Sequence, residues 1–190
     1  MIDLAKIKEL LAETACPGDL VPPAASEADL NSFELRASVR LPGDLRSWYL
    51  LTDGPNFTNV GFPSIRRSAD QVSRLETWLD FVPTWRVKGW LPVANDGCGN
   101  YYLLANEGDF GPGRPVFFVD MIADRNWPTY IVASCMATFL VFVLQSNMGL
   151  WNWPFDKEFV VSEDPAILRF QGLPFPWEKT KGTQLDFPDR

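Results

Sequence analysis

Residues 90–102 read Trp90-Leu91-Pro92-Val93-Ala94-Asn95-Asp96-Gly97-Cys98-Gly99-Asn100-Tyr101-Tyr102. The sequence takes a period of two here: Val87 to Val93 predicts a strand, and Tyr101 to Ala105 predicts a second. Between them, Asn95 to Asn100 is polar and glycine-bearing, which suits a tight turn in which Gly97 and Gly99 supply positive φ. So short a connection makes the two strands antiparallel neighbours.

The same two-residue period continues downstream. Val116 to Val119 and Thr129 to Val132 predict two more strands, with Asn106 to Arg114 as the connection before them. The middle of the chain is therefore expected to be a meander. Ser134 is expected to cap a helix running to about Asn147, with Phe139, Phe142 and Val143 turned to the sheet.

Upstream the period is helical. Residues 3–15 predict an amphipathic helix, capped by Asp3, with Leu4, Ile7, Leu10 and Leu11 on one face and Pro17-Gly18 as its stop. Asp19 to Ala25 is a Pro-rich connector. Ser26-Glu27-Ala28-Asp29 resembles a capping box and opens a second helix with a Leu30, Phe33, Ala37 stripe. After the Leu41-Pro42-Gly43-Asp44 break, Leu45 to Leu51 predicts one or two helical turns, ended by Asp53-Gly54-Pro55-Asn56. Residues 57–65 read as irregular, and Ser68 to Phe81 as a third long helix. The last stretch, 148–190, holds eight aromatic residues (Trp151, Trp153, Phe155, Phe159, Phe170, Phe175, Trp177, Phe187) and five prolines. It is expected to be an extended strap whose rings plug the domain, with a short helix opening at Asp164-Pro165.

Composition narrows the function. The 190 residues carry 24 acidic against 17 basic side chains, a formal charge of -7, and no histidine. An acidic chain lacks the basic face that phosphate binding needs, so nucleic acid is not an expected partner. Without histidine there is no Ser-His or Cys-His nucleophile pair and no imidazole ligand. The three cysteines, Cys16, Cys98 and Cys135, are far apart and form no C-x-x-C, which predicts reduced thiols and a cytoplasmic protein. The first residues do not read as a secretion signal. Tyr130 to Leu144 is apolar but short of the ~20 residues a membrane span requires, and reads as a buried strand and helix.

The chemistry-bearing candidates are weak. Asp96-Gly97-x-Gly99-Asn100 lacks the third glycine and following helix of a dinucleotide fingerprint, and the terminal glutamate of a calcium loop. Nothing marks two carboxylates as facing one cleft, and no cation adjoins Cys98 in sequence to activate it. No catalytic residue, metal or cofactor is expected.

The order of these features resembles the SUKH superfamily, named for the Smi and Knr cell-wall regulators, whose bacterial members are largely toxin-immunity proteins. The residues that carry the resemblance are Glu34 in its helix, Leu41-Pro42, the aromatic helix closing at Asp53-Gly54, the 90–102 hairpin, and Ala137-Thr138-Phe139 with Phe142. They span about residues 27–145 of the sequence. The resemblance implies a single α+β domain with a twisted, mostly antiparallel sheet of about four to six strands flanked by helices. Residues 1–25 would form the N-terminal helix and connector, 26–147 the SUKH-like domain and 148–190 the strap. It also implies a binding role: a non-catalytic immunity protein occupying a cognate toxin domain, a nuclease or other basic toxin, with an intracellular Smi/Knr-type scaffold as the alternative. Leu41, Pro42, Trp90, Pro92, Gly97 and Gly99 would then be architectural. Residues 1–60 hold nine acids against five bases, so the expected partner contacts are Asp29, Asp44 and Asp53, with Asp96 of the turn.

Overall fold

The computed structural model describes residues 4–14, 21–66, 71–149, 153–170 and 172–178. Asp3, Cys16, Pro17-Gly18, Ser68, Trp151 and Phe187, all used above, lie outside the described residues.

Helix α1 (Leu4–Thr14) buries Ile7 and Leu10 against the long helix α6 (Met136–Asn147). Helix α2 (Glu27–Ala37) has the expected capping box. The Asp29 amide donates to Ser26 Oγ at 3.1 Å, and the Ser26 amide donates to Asp29 Oδ2 at 2.9 Å. These bonds from Ser26 hold the Asp29 carboxyl below its ordinary value. Leu30, Phe33 and Ala37 are its buried stripe.

Glu34 explains the Leu41-Pro42 break. Its Oε1 accepts from the Leu41 amide at 2.8 Å, and its Oε2 pairs with Arg46 Nη1 at 2.8 Å. One carboxylate thereby fixes both the turn and helix α3 (Gly43–Tyr49), at whose N-cap Pro42 stands. Leu41 is buried against the core.

The segment 57–66 is irregular, as expected, and Asp53 holds it. Ser64 Oγ and the Ile65 amide donate to the two Asp53 oxygens at 2.7 and 2.8 Å, and Arg66 Nε lies 3.4 Å away. Gly54, at φ 75°, must be glycine on two counts: a Cβ there would also sit 2.9 Å from the Ser64 amide nitrogen.

Two readings of residues 68–93 need correction. The described part of the expected 68–81 helix divides into a 3-10 turn, Gln71–Ser73, and helix α4 (Leu75–Phe81), because the Leu75 amide bonds back to Ser64 O at 2.9 Å. The strand expected at Val87 to Val93 begins only at Leu91. Residues Pro83–Lys88 form helix α5, opened by Pro83 and closed by Gly89 in the left-handed region. That is the N-terminal proline and C-terminal glycine asymmetry of a short helix, which outweighed an apolar run too brief to separate the two periods.

The sheet is the expected meander, at the lower end of the expected size: β1 (Leu91–Asn95), β2 (Tyr101–Leu104), β3 (Val116–Val119) and β4 (Tyr130–Ala133), antiparallel in the order β1-β2-β3-β4. The register slips between Pro92 and Ala94, where proline has no N–H to give the ladder. Both faces are covered, which is why β3 reads as an unbroken apolar run. Tyr101 meets Trp78, Trp85 and Phe81 of α4 and α5 on one face, while Tyr102 meets Phe139 and Trp153 on the other. Trp90 fills the first face, 2% exposed, with its ring centroid 4.9 Å from that of Phe117.

Cys135, not Ser134, is the N-cap of α6. Ser134 is buried, and its amide donates to Asp164 Oδ2 at 2.6 Å. The described C-terminal residues are less extended than expected: they include helix α7 (Lys157–Glu163) and a 3-10 turn at Pro165–Arg169, the latter where Asp164-Pro165 predicted one. Trp153, buried, donates from Nε1 to Val132 O at 2.9 Å, and the Ile131 amide donates to Pro174 O at 3.0 Å. On the far side of the sheet, Gly61 and Asn95 exchange amide bonds of 3.0 and 2.8 Å beside β1.

Asp164 supports a prediction. Burial pushes its carboxyl above the ordinary value, against the bonds from Ser134. An asparagine at this position would offer its side-chain oxygen to the Ser134 amide without a charge to desolvate. Asp164→Asn should therefore change unfolding free energy at pH 7 by less than about 1 kcal/mol. A carboxyl raised on folding adds stability below its unfolded pKa and loses it as pH rises through the folded one. Urea unfolding should thus find the native protein gaining on the variant between pH 7 and pH 4.

Candidate partner-binding surface

The four acids expected to meet a partner are, to different degrees, already engaged. Asp53 is 3% exposed and bonded as above, so it presents no charge to a partner; that expectation is corrected by its burial. Asp29 closes the capping box and lies 3.8 Å from Arg66 Nε, the cation that also faces Asp53. Asp44 is half-buried, accepts from the Leu45 amide at 2.9 Å, and lines a cavity of about 220 Å³ between α1, α3 and α6. Asp96 alone sits where a larger surface forms.

That surface grows from the Asn95–Asn100 turn. Asp96 Oδ1 accepts from the amides of Cys98 and Asn100 at 2.8 and 3.0 Å, and Oδ2 from Asn100 Nδ2 at 2.7 Å. Gly97 and Gly99 have φ of 72° and 100°, and a Cβ on either would touch nothing, so glycine is required there by torsion and not by space. Asn100 Oδ1 then accepts from the Met121 amide at 3.1 Å, tying the turn to the β3–β4 loop. That loop is shaped by Asp120, whose Oδ1 accepts from the amides of Ile122 and Ala123 at 2.9 and 3.1 Å.

Tyr130 joins these acids to an exposed ring. It stacks on Phe118 with centroids 5.0 Å apart, and Phe155, 62% exposed, lies 6.0 Å away. Burial first, then the negative fields of Asp96 and Asp120, push the Tyr130 hydroxyl up to about 12. Asp156 follows Phe155 and caps α7, accepting from the Phe159 amide at 3.0 Å. The turn end of the sheet is thus an anionic rim around two aromatic rings. Asp120 and Tyr130 were not singled out in the sequence, and Phe155, expected as one of the rings that plug the domain, is 62% exposed instead. The available signal was Asp120 directly after the Val116–Val119 strand and a Phe155-Asp156 helix start.

All four tyrosines of the chain, Tyr49, Tyr101, Tyr102 and Tyr130, are raised, burial being the main cause in each. Raised phenols stabilise the fold below their unfolded pKa near 10, and that stability is lost as pH climbs through the folded values. Absorbance titration at 295 nm should show little phenolate at pH 10.5 in folded protein. Ionisation should instead arrive together with unfolding at higher pH. A simple titration centred at 10 would contradict these burials.

Among the described residues no group of three acids or thiols is placed to hold a metal, Cys98 and Cys135 are free, and no helix is long and apolar enough to cross a membrane. No curated protein matches the chain. The model of the SMI1/KNR4 family (SUKH-1), however, matches residues 24–141, from just before the capping box of α2 into α6. That stretch is more than half of the chain and contains the Glu34-Leu41 turn, the Asp53-Gly54 staple and the whole meander, and on that match the chain belongs to the SMI1/KNR4 (SUKH-1) family.

Proposed function

We propose that this SUKH-1 protein is a non-catalytic, cytoplasmic immunity protein that binds and neutralises a cognate toxin domain, with the turn end of its sheet as the contact surface. The observation that carries this reading is Phe155, largely solvent-exposed beside Tyr130, whose hydroxyl lies in the field of Asp96 and Asp120. An exposed ring provides a desolvating anchor, and the carboxylates around it steer a basic partner such as a nuclease toward it. Occupying the toxin's substrate face needs shape and charge only, and no cofactor.

A second surface favours the scaffold alternative. Phe81, Val87, Ile122 and Trp127 are exposed at 57, 87, 96 and 48%, on α4, α5 and the β3–β4 loop. Apolar docking there would not depend on salt. Capture from lysate of the source cell on immobilised protein, at low and high salt with mass spectrometry, separates the two. Immunity predicts a small basic domain of a larger secreted protein, held at low salt. That domain should be lost on Phe155→Ala combined with Asp96→Asn and Asp120→Asn, which remove the charge and keep the Oδ1 acceptor of each, at the loss of the bond from Asn100 Nδ2 to Asp96. A set of cytosolic proteins held equally at both salts and by the variant would reject the immunity reading for the scaffold.

A further inference from the structure

In a chain of net charge -7, three arginines line one cleft of about 400 Å³ that no described acidic residue lines. Arg40 follows α2, Arg86 lies on α5, and Arg114 ends the β2–β3 connection. Guanidinium groups stay charged at any ordinary pH, so the cleft cannot shed this charge by titrating.

The neighbouring acids offset only part of it. Asp80 pairs with Arg86 Nη1 at 2.6 Å, and Arg86 Nη2 donates to Ala37 O. Glu107 pairs with Arg114 Nε at 3.4 Å, the weaker contact of the two. Arg40 is exposed and bonds no described residue. Donors therefore remain on Arg40 and on the outer nitrogens of Arg114, with the hydroxyl of Ser38 and the amide of Asn106 at the same cleft. Ser38 is also the one described non-glycine residue at positive φ, 52°, a conformation that brings the chain sharply round from α2 to Arg40. Leu79 and Leu91 back the cleft but are buried, 1% and 6% exposed, so the surface it offers a ligand is polar and cationic.

We propose that this cleft binds a small oxyanion, its phosphate or carboxylate head held by Arg40 and Arg114. Planar guanidinium forks match both heads, and the volume is that of a small-molecule site. The cleft is formed by different residues from the acidic, Phe155-centred surface, and the inference does not depend on that reading.

Phenyl phosphate and benzoate are the probes for the two head groups, with phenol and chloride as controls at matched ionic strength. Binding is followed by arginine Nε and Trp90 indole signals in 1H–15N spectra. Saturable binding of at least one anionic probe is expected, weakened about 10-fold or more by Arg40→Ala and by Arg114→Ala. Arg169→Ala, outside the cleft, should leave it unchanged. Whichever probe binds tighter identifies the head group. Shifts that phenol or chloride reproduce, that never saturate, or that survive both arginine substitutions would overturn the proposal.

Discussion

Trp90→Ala should remove about 4–5 kcal/mol of stability, up to half or more of what a domain of this size holds. The ring is 2% exposed and is surrounded by Phe117, Phe110 and Trp127 at centroid distances of 4.9, 6.0 and 6.3 Å. Its Nε1 donates to Asp109 Oδ2 at 2.7 Å, and Lys88 Nζ stands 4.2 Å above it. Alanine would lose the dispersion contacts, the hydrogen bond and the cation–π contact together, and leave a void against Phe117 of β3, which the sheet holds in place. Trp90→Phe keeps most of the volume and should cost well under half as much. Urea unfolding at pH 7 checks both, through a lower midpoint at unchanged slope. A cost below about 2 kcal/mol for alanine would mean that the sheet face can collapse around the gap.

Asp53→Ala should cost about 3–5 kcal/mol, although an acid in an acidic protein looks expendable. Its two oxygens satisfy Ser64 Oγ and the Ile65 amide, and its charge faces Arg66. Alanine leaves a buried amide and hydroxyl without an acceptor and removes the counter-charge of Arg66. Asp53→Asn retains one acceptor and should lose only about 1–2 kcal/mol. The damage should also be local first, so hydrogen exchange ought to accelerate at Ser64 and Ile65 before it does in β2 or β3. Equal losses for Ala and Asn would show the charge, not the acceptor geometry, to be the main contribution.

These two residues show why some of the molecule was legible. Trp90 stands just before β1, the strand that leads into the glycine-bearing Asn95–Asn100 turn, and a local pattern of that kind is written in consecutive residues; so are the Ser26–Asp29 capping box and the Leu30, Phe33, Ala37 stripe, both found as expected. The end of α5 was misread because Val87-Lys88-Gly89-Trp90 runs straight into the apolar Leu91 to Val93, and what divides helix from strand there is the left-handed torsion of Gly89. Asp53 was misjudged for another reason. Its partners, Ser64 and Ile65, lie eleven and twelve positions away on an irregular segment, and no periodicity announces such a bond. The acidic aromatic rim was invisible on the same grounds: Asp96, Asp120, Tyr130 and Phe155 come from four separate stretches that only the meander and the return of the C-terminal chain bring to one end.

The bonds at the two sides of the sheet have a consequence for solubility. A four-stranded meander ordinarily offers two rows of open amides and carbonyls to any passing strand. Here Gly61 occupies the row beside β1, while Pro174 and Trp153 take polar groups of β4. The next amide of the covering chain, that of Phe175, donates to Glu178 Oε2 at 3.0 Å and so is not open to a further strand. Cleavage between Trp153 and Pro174 that freed the segment would turn β4 into a template for like chains, and the nicked protein should self-associate where the intact one stays dispersed.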